Sequence, residues 1–142
     1  MTEDVRIEFA TVPDAAERQF VINSLDTYNV AVTGVAAFYP VNLFLRAGDG
    51  ELLGGLIGFL WGGWLQVQNL WVAEPMRRRG HAGRLMEAAE LYARRLGCVG
   101  ATLETHSFQA RPFYEARGYV VFGVLEDYPP GHVKYFLRKA LG

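Results

Sequence analysis

The chain has 142 residues, a length that favours a single domain spanning residues 1–142. Hydrophobic residues make up 51% of the sequence and charged residues 20%, which is typical of globular proteins and excludes an intrinsically disordered chain. The 14 basic and 15 acidic residues leave a formal net charge of −1, which argues against a general nucleic-acid coat protein. The single cysteine, Cys98, excludes an internal disulfide and fits a cytoplasmic setting.

The first half of the chain has the patterns of several strands and one helix. Val5, Ile7 and Phe9 alternate with polar residues, which predicts a strand, and Pro13 with Asp14 marks the start of a helix. Turn signals rich in glycine separate the apolar stretches that follow. The predicted elements are a strand at 4–10, a helix at 13–30, and strands at 41–47, 52–62 and 64–73. The start of the chain lacks the pattern of a secretory signal, and the apolar stretch 52–65 is too short and too rich in glycine to span a bilayer.

In the second half of the chain, apolar residues first recur with the period of a helix. Leu85, Ala89, Tyr92 and Leu96 recur at steps of four, three and four, which predicts an amphipathic helix at about 81–96 that ends at Gly97. The elements predicted after it are a strand at 98–105, a short helix at 107–117, and strands at 119–125 and 132–139. The predicted order is β-α-β-β-β-α-β-α-β-β, which indicates an α/β or α+β fold with a mixed sheet.

A turn rich in arginine joins the strand at 64–73 to the long helix. Its sequence, EPMRRRGHAGRLM at 74–86, places arginines and small residues where the helix begins. Backbone N–H groups in the first turn of a helix lack partners, and the helix dipole is positive there, so such a turn binds phosphate groups. The pattern favours a diphosphate ligand, but it lacks the lysine followed by Ser or Thr of a P-loop and the three glycines of a Rossmann turn.

Two motifs in this half of the chain resemble those of one known family. The turn reads R-x-x-G-x-A from Arg77 to Ala82, and the short helix carries the spacing A-x-x-x-Y from Ala110 to Tyr114, followed by Gly118 and an aromatic residue. Both are similar to motifs of the GNAT superfamily of acetyl-CoA-dependent N-acetyltransferases, and the predicted element order is similar over nearly the whole chain.

The resemblance implies a fold and a cofactor site. The expected fold is a mixed, mostly antiparallel sheet with a V-shaped splay between its two central strands and helices on both faces. The splay would admit the pantetheine arm of acetyl-CoA, and the arginine-rich turn would hold its pyrophosphate. The resemblance implies no metal. The residues that it implies for cofactor binding are Leu70, Trp71, Val72, Arg77, Arg78, Arg79, Gly80, His81, Ala82, Gly83, Ser107 and Tyr114.

The resemblance also implies catalytic roles. Tyr114 would be the general acid that protonates the thiolate leaving group, and backbone N–H groups near Leu70 and Val72 would polarise the acetyl carbonyl. Glu104 and His106 lie two apart on one strand, so they share a face and are both candidates for the general base. A water relay is the third alternative, since Gln68 and its neighbour Asn69 cannot act as bases.

The sequence departs from the family pattern at two positions. His81 stands where an aliphatic residue is usual, and Ser107 replaces the usual asparagine, which weakens its assignment to the cofactor. Three other functions stay open: a non-catalytic module that binds acetyl-CoA, a nucleic-acid binder that uses the arginine-rich turn, and an enzyme of the same fold that transfers another acyl group.

The expected partner is a small-molecule or peptide amine, which the sequence does not identify further. Neither a nucleic acid nor a membrane is expected as a partner. Relatives often dimerise, which favours pairing of two chains through the last strands.

Overall fold

The structure is a computed structural model that describes residues 4–142. The chain divides after Ala36 into two compact units, residues 1–36 and 37–142, and each unit is described by itself. Within residues 4–142, no helix is long and apolar enough to cross a membrane.

The first unit contains one helix, α1, at Ala15–Thr33. The Asp14 carboxylate caps it by accepting hydrogen bonds from the N–H groups of Ala16 and Glu17 at 2.8 and 3.1 Å, so the predicted helix start is confirmed to within two residues. The strand expected at 4–10 is wrong: these residues form no strand, and the side chain of Ile7 is fully exposed. Alternation alone does not make a strand, because the backbone also needs a neighbouring strand to accept its hydrogen bonds.

The second unit is built on a six-stranded sheet with the strand order β1-β2-β3-β4-β6-β5. Every neighbouring pair is antiparallel except β3 and β4, which run parallel. The mixed, mostly antiparallel sheet is therefore confirmed. The strands are β1 at Phe38–Arg46, β2 at Leu52–Trp61, β3 at Trp64–Val72, β4 at Gly100–His106, β5 at Val120–Glu126 and β6 at Val133–Ala140.

Two helices belong to this unit, α2 at His81–Arg95 and α3 at Arg111–Ala116. A single 3-10 turn at Glu74–Met76 precedes α2. The helix α2 packs on β1, β2 and β3 through a stripe formed by Leu85, Met86, Ala89 and Ala93. The apolar face predicted for this helix was wrong at its C-terminal end. Tyr92 and Leu96 are exposed, and the helical period places Ala93 on the buried face instead.

The sheet opens between its two central strands. β3 and β4 pair at only four positions, from Trp64 opposite Gly100 to Val67 opposite Leu103. On the other side of β3, the register passes from Gly58–Val67 to Ile57–Asn69, which leaves Gln68 as an extra residue in a β-bulge. A bulge bends its strand and increases the local twist, so β3 separates from β4 at the residue where the bulge begins. The V-shaped splay expected from the sequence is present at this point.

Candidate active site

A cavity of about 550 Å³ occupies the opening between β3 and β4. Beyond Val67 and Leu103 the two strands no longer pair, so side chains and backbone groups of both strands face the gap. The helix α3 and the turn before it close one side. The lining residues are Val67, Gln68, Asn69, Leu70, Trp71, Val72, Arg77, Leu103, Glu104, Thr105, Phe108, Gln109, Ala110 and Tyr114.

The free edge of β3 presents backbone hydrogen-bonding groups to this cavity. The Ala73 N–H donates to the Leu53 carbonyl at 2.7 Å, so Ala73 faces β2. Successive residues of a strand direct their N–H and C=O groups to alternate edges, which turns those of Val72 and Leu70 away from β2 and toward the opening. The Arg77 Nε donates to the Val72 carbonyl at 2.8 Å, in agreement with this direction. The arginine-rich turn is thereby fixed to the end of β3.

Tyr114 reaches the cavity from α3, opposite this edge. Its side chain is 7% exposed and contacts the rings of Phe113 and Tyr119 edge to face, with centroids 5.1 and 5.9 Å away. Burial raises the pKa of Tyr114 to about 12, because the phenolate would lose its hydration. Among residues 4–142 the hydroxyl has no hydrogen-bond partner, so it is available to a ligand.

The three candidate residues at the end of β4 occupy different places. Glu104 lines the cavity, and its carboxylate forms an ion pair with the Lys134 ammonium at 2.7 Å. His106 is absent from the lining, and its Nδ1 lies 3.1 Å from Gln109 Oε1. Ser107 joins β4 to β6, because its hydroxyl accepts a hydrogen bond from the Val133 N–H at 3.0 Å. Of the three, only Glu104 contacts the opening between the strands.

A second cavity of about 330 Å³ lies at the start of α2. Gly80 precedes the helix with a φ of 82°, and no side chain of residues 4–142 caps this end, so the first N–H groups of the helix are free to bind a ligand. Arg78 has a φ of 61°, an unusual conformation for a residue with a side chain and one that turns the backbone around the cavity. Of the predicted pyrophosphate residues, the lining includes Arg77, Arg78, Gly80, His81, Ala82 and Gly83, but not Arg79.

Three residues that line the second cavity were not predicted from the sequence: Met76, Phe113 and Arg117. The Arg117 guanidinium lies 5.1 Å from the centre of the Phe113 ring and passes over Gly83, where a Cβ atom would meet its Cζ at 2.6 Å. Its Nε is buried and has no hydrogen-bond partner among residues 4–142. Phe113 and Arg117 are four apart in the sequence around the short helix, and this spacing was the available signal that they share a face.

The two cavities adjoin, since Val72 and Arg77 line both. One accommodates an extended chain between two strands, and the other offers helix N–H groups and arginine to an anion. A family model of the acetyltransferase (GNAT) family matches residues 8–119 of this chain. The chain belongs to the GNAT family of acetyltransferases. GNAT acetyltransferases use acetyl-CoA.

Individual GNAT relatives agree with this assignment. The blasticidin-S acetyltransferase of Streptomyces morookaense is 44% identical over 93 residues, which cover 65% of this chain and 68% of that protein. An acetyltransferase of Agrobacterium fabrum is 36% identical over 128 residues, covering 90% and 93% of the two chains. A crystal structure of an acetyltransferase from Agrobacterium tumefaciens superimposes with a TM-score of 0.90 at 34% identity and covers 96% of this chain and 99% of that one.

Within the described part of the chain, residues 4–142, no group of three or more His, Cys, Asp or Glu side chains is placed to hold a metal ion.

Proposed function

We propose that this protein transfers the acetyl group of acetyl-CoA to a primary amine by direct attack of the amine on the thioester. The observation that carries the proposal is the cavity between β3 and β4, in which the free backbone edge at Leu70 and Val72 and the phenol of Tyr114 face one space. The edge supplies N–H groups for an oxyanion, and the phenol supplies a proton.

The reaction uses these groups in sequence. The amine nitrogen attacks the carbonyl carbon, and the negative charge that develops on the oxygen is stabilised by a backbone N–H of the β3 edge. The C–S bond then breaks, and the thiolate takes the proton of the Tyr114 hydroxyl. Before this bond breaks, the nitrogen of the tetrahedral intermediate loses its proton to solvent or to a base, and afterwards solvent returns a proton to Tyr114. With a pKa of about 12, Tyr114 holds its proton throughout the neutral range.

The proton of the incoming ammonium passes to Glu104 or to a water relay. Glu104 shares the cavity with Tyr114 and is half-exposed, so a water molecule or an amine has access to its carboxylate. His106 stands outside the lining, and its Nδ1 is engaged with Gln109. A direct role for His106 therefore requires the acceptor itself to extend beyond the cavity.

The first acceptor to test is blasticidin S. The relative from Streptomyces morookaense bears the name blasticidin-S acetyltransferase, and its 44% identity exceeds that of the more completely aligned Agrobacterium fabrum relative. Incubation with acetyl-CoA and blasticidin S should release free thiol and yield a product heavier by one acetyl group. Release of thiol with other amines but not with blasticidin S would leave the transfer reaction in place and exclude this acceptor.

The proposed reaction is tested first at its cofactor. Calorimetric titration with acetyl-CoA should show binding in the micromolar range, with comparable binding of free CoA and little binding of ATP. No binding of either CoA species would contradict the proposal. A protein that binds acetyl-CoA but acetylates nothing in a broad amine library would instead be a binding module, the alternative that the sequence leaves open.

A further inference from the structure

Four aromatic side chains form a cluster where β4 ends. His106 is the last residue of β4, Phe108 lies in the turn that follows, and Tyr128 and His132 come from the loop between β5 and β6. The rings of His106 and Phe108 stack with centroids 5.2 Å apart, and those of His106 and Tyr128 stack at 5.7 Å. Phe108 and His132 meet edge to face at 5.0 Å. We call these four residues the aromatic cluster.

The aromatic cluster is continuous with the cavity between β3 and β4. Phe108 belongs both to the cluster and to the cavity lining. Phe108 and Tyr128 remain 56% and 49% exposed, so much of their ring surface is not used in packing within the second unit. The exposed faces of these two rings are accessible to a ligand. A ligand ring placed on Phe108 would extend the stack and reach into the cavity.

A carboxylate adjoins this ring surface. Glu104 lines the cavity, and Lys134 engages its Oε2 at 2.7 Å, which raises the pKa of Lys134 because the hydrogen bond and the negative charge favour the ammonium form. The same ammonium nitrogen lies 4.5 Å from the centre of the Tyr128 ring. A carboxylate and an aromatic face together already hold one cation here, and a carboxylate has acceptor positions for a second one.

We propose that the aromatic cluster and Glu104 form the acceptor subsite, and that its ligand is a cationic amine that carries a planar aromatic ring. The ring stacks on Phe108, and the ammonium group lies at Glu104, in the same cavity as Tyr114 and the β3 edge. This inference rests on the proposed acetyl transfer, because it names the class of amine that the transfer uses. It assigns a substrate-binding role to the loop between β5 and β6, which carries Tyr128 and His132.

The test compares two amines that differ only in their ring. The protein is loaded with CoA, so that no turnover occurs, and is titrated by calorimetry with 2-phenylethylamine and with 2-cyclohexylethylamine. Both carry a protonated amine on the same linker, so a preference reports aromatic stacking rather than charge or bulk. The phenyl compound should bind about three- to tenfold more tightly, the range that aromatic pairs add beyond area burial.

Three variants identify the residues that are responsible for amine binding and for the preference for the phenyl ring. Phe108→Leu keeps apolar bulk and should reduce the preference for the phenyl ring to less than about twofold. Phe44→Leu removes a ring of similar exposure, 53%, from β1 and should keep the preference. Glu104→Gln should weaken both amines alike, by about fivefold, because it removes the charge and leaves the rings in place.

The outcomes separate this inference from the proposed function. Equal binding of the two amines by the wild-type protein, or a preference that survives in Phe108→Leu, would overturn the inference while CoA binding still supports acetyl transfer. A protein that fails to bind CoA would contradict the proposed function, and the amines titrated into the unloaded protein would still show whether the aromatic cluster selects a ring. If Phe108→Leu changes only the oligomeric state and not amine binding, the cluster contacts a second copy of the chain and the inference is wrong.

Discussion

Replacement of Tyr114 by phenylalanine should remove activity without removing stability. The hydroxyl has no hydrogen-bond partner among residues 4–142, so its loss leaves no buried group newly unpaired. The ring keeps its contacts with Phe113 and Tyr119. We expect the free energy of unfolding near neutral pH to change by less than about 1 kcal/mol. We expect kcat to fall by about 100-fold or more, the usual contribution of a general acid.

The Tyr114→Phe variant should also differ from the wild type in its stability at alkaline pH. Burial raises the pKa of Tyr114 from 10 to about 12 in the folded protein, so the unfolded chain ionises first as the pH rises. The contribution of Tyr114 to stability is therefore fully present below about pH 10 and is lost between about pH 10 and pH 12. The difference of about two between these pKa values corresponds to about 3 kcal/mol, of which about half is lost at pH 11.

The assays are thiol release with saturating acetyl-CoA and urea denaturation near pH 8 and pH 11. Between these two pH values, the wild type should lose on the order of 1 kcal/mol more stability than Tyr114→Phe. Tyr92→Phe, which removes a hydroxyl from the exposed side of α2, is the control and should keep full activity. A loss of activity below about threefold in Tyr114→Phe would refute the role of the phenol as acid. An equal alkaline loss in both proteins would refute its burial.

Three further substitutions test how the backbone and Arg117 shape the two cavities. Gly58→Ala should lower the free energy of unfolding in urea by at least about 2 kcal/mol, because the new Cβ would lie against the backbone carbonyl of Gln66; a loss under about 0.5 kcal/mol would contradict the tight approach of β2 to the bulge. Gly83→Ala should change the free energy of unfolding by less than about 1 kcal/mol, because the new Cβ would meet only the movable end of Arg117. Calorimetry should nevertheless show weaker binding of acetyl-CoA by this variant. An unchanged affinity for acetyl-CoA would contradict the position of the Arg117 guanidinium. Arg117→Met keeps apolar bulk beside Phe113 and should raise the Kd for acetyl-CoA about tenfold in the same titration, whereas an equal Kd would exclude Arg117 from anion binding.

The elements of the second unit were predictable because their signals are local. Glycine turns separate β1, β2 and β3, and the change of period after Gly80 marks α2, so each boundary lies within a few residues of its prediction. The arginine-rich turn could also be placed, since a strand end and a helix start fix it from both sides. The strand at 4–10 failed because its alternation carries no information about a pairing partner.

The parts of the site that could not be predicted depend on contacts between distant residues. Lys134 forms an ion pair with Glu104, which lies thirty positions earlier in the sequence. The register between β4 and β6 brings these two residues together. Whether His106 enters the cavity depends on Gln109, which engages its backbone N–H at 2.8 Å and approaches its ring. The spacing of Glu104 and His106 predicts that their side chains share one face of the strand, but the spacing could not show where the cavity ends.

The bulge at Gln68 connects the register of the sheet to its chemistry. As far as Val67, the edge of β3 that lies away from β2 pairs with β4, and its backbone groups make hydrogen bonds to that strand. The extra residue of the bulge ends the pairing with β4. The opposite edge of β3 continues to pair with β2 as far as Val72. The strand is therefore held firmly from one side, and its other side offers N–H groups at Leu70 and Val72 that no strand within residues 4–142 uses. Preorganised donors of this kind stabilise an oxyanion without rearrangement during the reaction. The hydrogen bonds that the sheet leaves unmade beyond the bulge are thus the ones that the proposed acetyl transfer would use.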